Sequence, residues 1–200
     1  MQLAFIDHYD SFSFNVLDWL QRAANNDLTI LRITCDDETG LARLKNKPIP
    51  TVISPGPGSP KDYPQTLKLV EKLLPVTPVL GICLGHQILG ILAGGQINRA
   101  KNPWHGTAAK IKVLEKNWFT DGLPENFDAI TYNSLVVALP ESSWKNWKRL
   151  AINDNEEIMM MSHNHLPVAS VQFHPESFGS EYGETLAKNF LKEIRKWNAS

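Results

Sequence analysis

Short apolar runs alternate with helix-forming segments through the first half of the chain, and this alternation limits the possible folds more than any other feature. Strands are predicted where apolar or β-branched residues cluster, at 3–6, 29–34, 51–54 and 78–82. Helices are predicted at 12–24 and 37–44 and in a segment ending before Pro75, and Ser11 is in position to cap the first. Strands separated by helices are typical of a parallel sheet covered on both faces.

The second half has a different pattern, with closely spaced strand candidates joined by turns. These candidates lie at 108–114, 129–131, 135–139, 157–162 and 168–173, and a final helix is predicted at 181–197. No Pro/Gly/Ser-rich linker divides the chain, so we expect one domain over residues 1–200. The predicted fold is α/β, a mostly parallel open sheet with helices on both faces and an antiparallel extension.

Composition excludes several classes of protein. The 200 residues carry a formal net charge of −1, which argues against a nucleic-acid-binding protein and against a basic membrane-surface protein. No apolar run reaches the length of a membrane span, and the first residues are typical of a buried strand rather than a signal peptide. Cys35 and Cys83 are too few for a disulfide framework, so a reducing, cytoplasmic location is expected.

The segment G-I-C-L-G-H-Q, at 81–87, places a cysteine between two glycines at a strand-to-helix junction. Cys83 on such a sharp turn is typical of a nucleophile, because the glycines allow a close approach of strand and helix. The start of the helix favours a thiolate. The backbone N–H of Leu84 can point at a developing oxyanion. The alternative is a small buried cysteine between packing glycines.

Two further motifs follow predicted strands. In V-Q-F-H-P-E-S, at 171–177, His174 and Glu176 are spaced so that the carboxylate can orient the imidazole. With Cys83 they form a nucleophile, base and orienting group. The loop P-G-P-G-S-P, at 55–60, is predicted to be rigid and to reach the same sheet edge, where Gly56 could supply a second oxyanion N–H. The alternatives are a hydrogen-bonded histidine at the rim and a plain rigid turn.

Together these motifs resemble the class I glutamine amidotransferases, whose fold is flavodoxin-like. The resemblance covers nearly the whole chain and is nearest to the small subunits of anthranilate synthase and aminodeoxychorismate synthase. It rests on D-H-Y-D-S-F-S-F-N at 7–15, I-S-P-G-P-G-S-P at 53–60, G-I-C-L-G-H-Q at 81–87, H-G at 105–106, Y-N-S-L-V-V at 132–137 and V-Q-F-H-P-E-S at 171–177.

The resemblance implies that Cys83 attacks the side-chain amide of glutamine, with His174 and Glu176 as its partners. It implies an oxyanion hole from the N–H groups of Gly56 and Leu84, and a glutamine site formed by Gln87, Ser134 and Leu135. Neither a cofactor nor a metal is implied. Ammonia would pass to a larger, chorismate-binding synthase subunit, component I, in tryptophan or folate biosynthesis.

Departures from the family pattern leave the product and the strength of coupling to the partner open. The subfamily usually has Arg-Tyr-His-Ser-Leu where this chain has 131–135, T-Y-N-S-L, and a lysine where it has Thr107. Two alternatives remain: a free-standing thiol hydrolase of γ-glutamyl compounds, and a non-catalytic binding module on the same fold.

The remaining histidines, tryptophans and the second cysteine carry weaker predictions. His8 is interpreted as a turn residue or a contact to the partner subunit, His86 as a support for the nucleophile loop and His105 as a possible interface residue. His163 and His165 could suggest a metal pair but have no obvious third ligand. The segment containing Trp144 and Trp147 is interpreted as surface, and Cys35 as a packed or half-exposed thiol.

Overall fold

The structure, a computed structural model, describes residues 1–103 and 106–199. Strands are β1 Gln2–Asp7, β2 Thr29–Thr34, β3 Thr51–Ile53, β4 Val79–Ile82, β5 Gln96–Arg99, β6 Thr107–Val113, β7 Asn126–Thr131, β8 Leu135–Ala138, β9 Trp147–Ile152, β10 Ile158–His163 and β11 Val168–Val171. Helices are α1 Ser13–Ala23, α2 Glu38–Asn46, α3 Pro64–Leu73, α4 Leu84–Leu92 and α5 Gly183–Ala199. Short 3₁₀ helices cover Pro60–Asp62 and Glu141–Lys145.

A nine-stranded sheet organises the molecule, in the order β2-β1-β3-β4-β11-β10-β9-β6-β7. The first five strands in that order run parallel to their neighbours. The remaining strands pair antiparallel. The prediction of a parallel sheet with an antiparallel extension is therefore confirmed. Strand β11 joins the two halves, since it is parallel to β4 and antiparallel to β10.

Helices cover both faces of the sheet, as predicted. Successive residues of β1 alternate between two hydrophobic clusters: Leu3 and Phe5 belong to one, Ala4 and Ile6 to the other. The first cluster includes the buried faces of α1 and α5, and the second includes those of α2, α3 and α4. Strands β1, β3, β4 and β11 are buried on both faces and form continuous apolar runs, which explains why they were recognisable in the sequence; the edge strand β2 is mostly exposed.

Three local predictions were wrong. Trp147 is not at the surface but buried at the start of β9, a strand that the sequence analysis missed. Strand β8 does not join the main sheet; it pairs with β5, also missed, in a separate two-stranded sheet. Ser11 does not cap α1, because Phe12 occupies the N-cap position, with its backbone N–H donating to the Asp10 carboxylate at 2.8 Å.

Within the described part of the chain, the structure has no helix that is both long enough and apolar enough to span a bilayer.

Candidate active site

Three neighbouring parallel strands end at the same edge of the sheet, and each is followed by one of the predicted motifs. Strand β3 leads into the Pro-Gly loop, β4 into Cys83 and β11 into His174. The junction is tight, because the backbone N–H of Cys83 donates to the carbonyl of Val171, at the end of β11, at 2.9 Å. Residues that are distant in sequence therefore meet where sites form in open α/β sheets.

Cys83 lies on a strained turn at the N-cap of α4, with φ 51° and ψ −99°. L-residues rarely adopt such a positive φ, and it persists only where surrounding packing enforces it. The flanking glycines allow that packing: a β-carbon on Gly81 would lie 2.5 Å from the backbone of Gly85, and one on Gly85 would lie 2.5 Å from the carbonyl oxygen of Ile53. The sulfur therefore stands at the positive end of the α4 dipole.

His174 links Cys83 to Glu176. Its Nδ1 lies 2.7 Å from Glu176 Oε1, both side chains are almost fully buried, and the imidazole also forms a side-chain hydrogen bond with Cys83. Burial by itself lowers the pKa of His174. The hydrogen bonds to Cys83 and Glu176, together with their negative charges, outweigh burial and raise the pKa well above 6.5. The arrangement therefore favours the protonated form of the His174 imidazole.

The backbone of the histidine segment is fixed by β7, by the residues just before α5 and by the start of α5. The N–H of His174 donates to the carbonyl of Ile130 at 2.9 Å, and its carbonyl accepts from the Ser180 hydroxyl at 2.6 Å. A β-carbon on Gly183 would lie only 1.9 Å from the carbonyl oxygen of Pro175, so the start of α5 packs directly on this segment. These contacts fix the position of the imidazole, although His174 lies beyond the end of β11.

The Pro-Gly loop packs on a buried histidine. His8 is fully buried, and its ring nitrogens lie 3.0 Å from Ser54 Oγ and 3.2 Å from Thr66 Oγ1. Burial lowers the pKa of His8 to about 4, although the nearby Asp7 charge raises it. The interpretation of His8 as a partner contact is wrong, because the side chain is inaccessible; it supports the loop at Gly56 instead.

A small cavity of about 170 Å³ opens beside the sulfur. Its wall consists of Gly56, Pro57, Gly58, Cys83, Gln87, Tyr132, Asn133, Ser134 and Leu135. The structure thus brings Cys83, the loop glycine and the three residues predicted for glutamine to one cavity. Leu84, the first residue of α4, is buried beside the sulfur, and a first-turn N–H has no acceptor within its helix. The volume suits one small metabolite rather than a drug-sized ligand.

Several site residues were missed in the sequence. Gln172 is fully buried and its Nε2 lies 3.7 Å from the Cys83 sulfur. The rings of Phe12 and Tyr132 contact the His174 imidazole, with centroid distances of 5.1 and 5.0 Å. Gln172 could have been recognised as a polar residue between the apolar Val171 and Phe173. Phe12 and Tyr132 are far from His174 in the sequence, so no local pattern indicates their contacts with it.

The other singled-out residues lie away from this chemistry. His86 is buried in α4, with Nδ1 2.8 Å from Ser170 Oγ, and burial lowers its pKa to about 3. His163 contacts Trp147, and the described residues contain no cluster of three or more potential metal ligands. Cys35 is a half-buried free thiol. His105 lies outside the described residues.

Comparison with known proteins finds relatives over nearly the whole chain. Residues 4–194 match the family described as glutamine amidotransferase class-I. Anthranilate synthase component 2 of Cyanidium caldarium is 38% identical over 191 residues, covering 93% of this chain and 95% of the relative. The aminodeoxychorismate/anthranilate synthase component 2 of Bacillus subtilis is 35% identical over 194 residues, 96% of each chain.

A solved structure shares the fold at lower sequence identity. The crystal structure of a glutamine amidotransferase from Thermotoga maritima matches with a TM-score of 0.71 and 20% identity, over 100% of this chain and 86% of that one.

Proposed function

We propose a function for this chain from the premise that it belongs to the class I glutamine amidotransferase family. The chain hydrolyses the side-chain amide of glutamine and delivers the ammonia to a chorismate-using synthase subunit. The observation that carries this proposal is the junction of β3, β4 and β11, where Cys83, His174 and the loop at Gly56 meet around one small cavity.

In the first half of the reaction, Cys83 is the nucleophile. The thiolate attacks the amide carbon while His174, as imidazolium, stays hydrogen-bonded to it and to Glu176. The backbone N–H groups of Gly56 and Leu84 stabilise the tetrahedral oxyanion. The C–N bond then breaks, His174 gives its proton to the leaving nitrogen, and ammonia departs from a γ-glutamyl thioester.

In the second half, water replaces the amine. His174, now neutral, takes a proton from the attacking water, and Glu176 holds the imidazole in place. The thioester C–S bond breaks, glutamate leaves, and the thiolate–imidazolium pair is restored. Gln87, Ser134 and Leu135 bind the substrate, since all three line the cavity beside the sulfur. No cofactor or metal takes part in these steps.

The receiving subunit is the chorismate-binding component I of anthranilate or aminodeoxychorismate synthase. The names of the relatives support this partner, since component 2 proteins of both kinds are 35–38% identical to this chain. Free ammonia would be protonated in water, so the partner must take it directly. We propose that the chain acts as one domain over residues 1–200 and in the cytoplasm, where its two free cysteines stay reduced.

The test compares the two cysteines. Cys83→Ser should abolish glutamine-dependent product formation by the assembled synthase and leave ammonia-dependent formation intact. Cys35→Ser, the matched control, should leave both activities unchanged, since Cys35 lies outside the cavity. An alkylating glutamine analogue should label Cys83 alone. Undiminished glutamine hydrolysis by Cys83→Ser would contradict the assignment, and hydrolysis with no complex with a synthase subunit would favour a free-standing hydrolase.

A further inference from the structure

Two aromatic rings pack against the imidazole of His174 and take no part in the proposed reaction steps. Phe12 lies just before α1 and Tyr132 just after β7. The centroids of their rings lie 5.1 and 5.0 Å from the centroid of the imidazole and 4.7 Å from each other. The three rings therefore form a closed triangle, at the distances at which aromatic rings attract one another.

The imidazole needs such a support, because its other contacts do not fix the plane of the ring. The backbone of His174 is bonded to Ile130 and Ser180, but the last torsion of a histidine side chain has only a broad preference. The contact between Nδ1 and Glu176 Oε1 fixes one ring atom, about which the rest of the ring can pivot. Such a pivot would weaken the hydrogen bond between the imidazole and Cys83.

Each aromatic ring is anchored independently of His174. The backbone N–H of Phe12 donates to the Asp10 carboxylate at 2.8 Å. The ring of Tyr132 lies against the backbone of Gly106, where a β-carbon would come 3.1 Å from Tyr132 Cε1. The glycine of the H-G motif at 105–106 therefore leaves room for the tyrosine ring.

Few groups act on the charge of the imidazole. Within residues 1–103 and 106–199 these are Cys83, at the start of α4, and Glu176, in the same segment as His174. Tyr132 carries a phenol. The other neighbours of the histidine segment are uncharged; they are Phe12, Ile130, Ser180 and Gly183. Once the phenol is controlled for, the titration of His174 reports on its contacts with Cys83 and Glu176.

We propose that Phe12 and Tyr132 are positioning residues, whose rings form an aromatic clamp that holds the imidazole of His174 in the plane where it bonds Cys83 and Glu176 at once. This inference rests on the proposed function, in which the orientation of the imidazole sets the rate of proton transfer at the reacting atoms. Phe12 is not part of the cavity wall, so it acts on the reaction through His174.

The test replaces each ring of the aromatic clamp by leucine, which is apolar but not planar. Phe12→Leu is the principal variant and Tyr132→Leu the second. Tyr132→Phe keeps the ring and removes the phenol. Phe14→Leu is the matched control, because Phe14 lies two residues further along the chain and its ring packs against the guanidinium of Arg32.

The first measurement is an NMR titration of the His174 imidazole, whose signal is assigned by its absence in His174→Gln. The pKa of His174 is raised above 6.5 by its bonds to Cys83 and Glu176, so it should fall towards 6.5 in both leucine variants. Leucine keeps the site apolar, so burial continues to lower this pKa as in the wild type. Tyr132→Phe and Phe14→Leu should keep the wild-type titration of His174.

The second measurement is the steady-state kinetics of glutamine hydrolysis by the assembled synthase. In Phe12→Leu, kcat should fall about tenfold to hundredfold, the usual effect of a misplaced catalytic group, while KM for glutamine stays at the wild-type value. Phe14→Leu should keep both constants.

An unchanged titration of His174 in Phe12→Leu would overturn the inference even where kcat falls, since the ring would then contribute only to packing. A fall in pKa that is as large in Tyr132→Phe as in Tyr132→Leu would overturn it as well, because the phenol rather than the ring would be responsible. Where Phe12→Leu does not fold, judged by circular dichroism, the two Tyr132 variants decide the question.

Failure of the proposed function is distinguishable from failure of this inference. If the wild-type protein does not hydrolyse glutamine when assembled with a synthase subunit, the proposed function fails, and the NMR titration still decides whether the two rings hold the imidazole. If glutamine is hydrolysed and both leucine variants keep the wild-type titration, only the inference about Phe12 and Tyr132 is wrong.

Discussion

Gly56 and His8 lie so close together that a β-carbon on Gly56 would come within 2.6 Å of the β-carbon of His8. His8 cannot move aside, because its backbone N–H is bonded to Ser54 Oγ and its ring nitrogens face Ser54 and Thr66. The backbone of the Pro-Gly loop is thus seated on β1 through a histidine that never reaches solvent.

Gly56→Ala should therefore push the loop away from Cys83. With the Gly56 N–H displaced from the oxyanion, we expect kcat for glutamine hydrolysis to fall about 10²- to 10³-fold, the usual effect of losing one such donor. Steady-state kinetics of the assembled synthase measure this loss. Gly122→Ala, where φ is +77° but the cavity is not involved, is the control and should keep the wild-type kcat. A wild-type kcat in Gly56→Ala would show that the Gly56 N–H does not stabilise the oxyanion.

Gly85 sets the distance between α4 and β3. Its β-carbon would meet the backbone carbonyl of Ile53 at 2.5 Å, whereas that of Gly90, one turn and a half further along α4, would meet only the side chain of Val137 at 2.6 Å. We expect Gly85→Ala to lower the free energy of unfolding by about 1–3 kcal/mol, the range of overpacked cores, and Gly90→Ala by less. Urea denaturation of both variants measures the difference. Equal losses of unfolding free energy in the two variants would show that α4 can move away from β3 at no extra cost.

His8 and His86 make the fold sensitive to acid. Burial lowers the pKa of His8 to about 4 and that of His86 to about 3. Below about pH 6.5 these two imidazoles therefore bind protons in the unfolded chain but stay neutral in the folded chain until the pH reaches the lowered values. The contribution of these two neutral histidines to the free energy of folding is fully present above pH 6.5 and is lost as the pH falls towards these pKa values. Between about pH 6.5 and 5, each group should cost about 2 kcal/mol of folding free energy.

His86→Gln should flatten the acid limb of the stability curve, since glutamine does not titrate and can still bond Ser170. Urea unfolding at a series of pH values measures the slope, with the exposed His165→Gln as the control for losing a histidine. An unchanged slope in His86→Gln would mean that this imidazole is protonated in the folded state.

The contribution of His174 to folding stability depends on pH in the opposite direction. Its pKa is raised above 6.5 because the hydrogen bonds to Cys83 and Glu176 outweigh the effect of burial. The stabilisation is fully present below pH 6.5 and is lost as the pH rises through the raised pKa. Glu176→Gln removes the carboxylate bonded to His174 Nδ1, so it should destabilise the protein more at about pH 6 than at about pH 9. Chemical denaturation at the two values tests this, and equal losses at both would contradict the charged pair.

The sequence predicted the parallel half of the fold well because strands covered on both faces form continuous apolar runs between amphipathic helices. Strand β9 escaped prediction for the opposite reason. Lys148 and Arg149 interrupt its apolar pattern, and Lys148 is accommodated by an ion pair with Glu115. Strand β5 is mostly exposed, with the sequence Q-I-N-R, and forms only because β8 lies beside it. Local sequence patterns do not predict the pairing of strands such as β5 and β8.

For the candidate site, strand ends predicted the nucleophile, the histidine and the loop glycine, whereas Ser134 and Leu135 came only from the family resemblance and Gln172, directly after β11, was missed. Gly56, Cys83 and His174 could be placed together because parallel strands end at one edge. Phe12 reaches His174 from the start of α1, and Asn133 enters the cavity from the turn before β8. These two positions depend on how elements pack, which the spacing of residues in one chain does not encode.

The insertion of β11 between β4 and β10 also sets when the two groups of the proposed active site meet during synthesis. The ribosome delivers Cys83 with the first strands, but the position beside β4 stays empty until nearly the whole chain has been made. A nascent or truncated polypeptide therefore has the thiol of Cys83 without the imidazole of His174. On the proposed mechanism, glutamine hydrolysis begins only after β11 has been made.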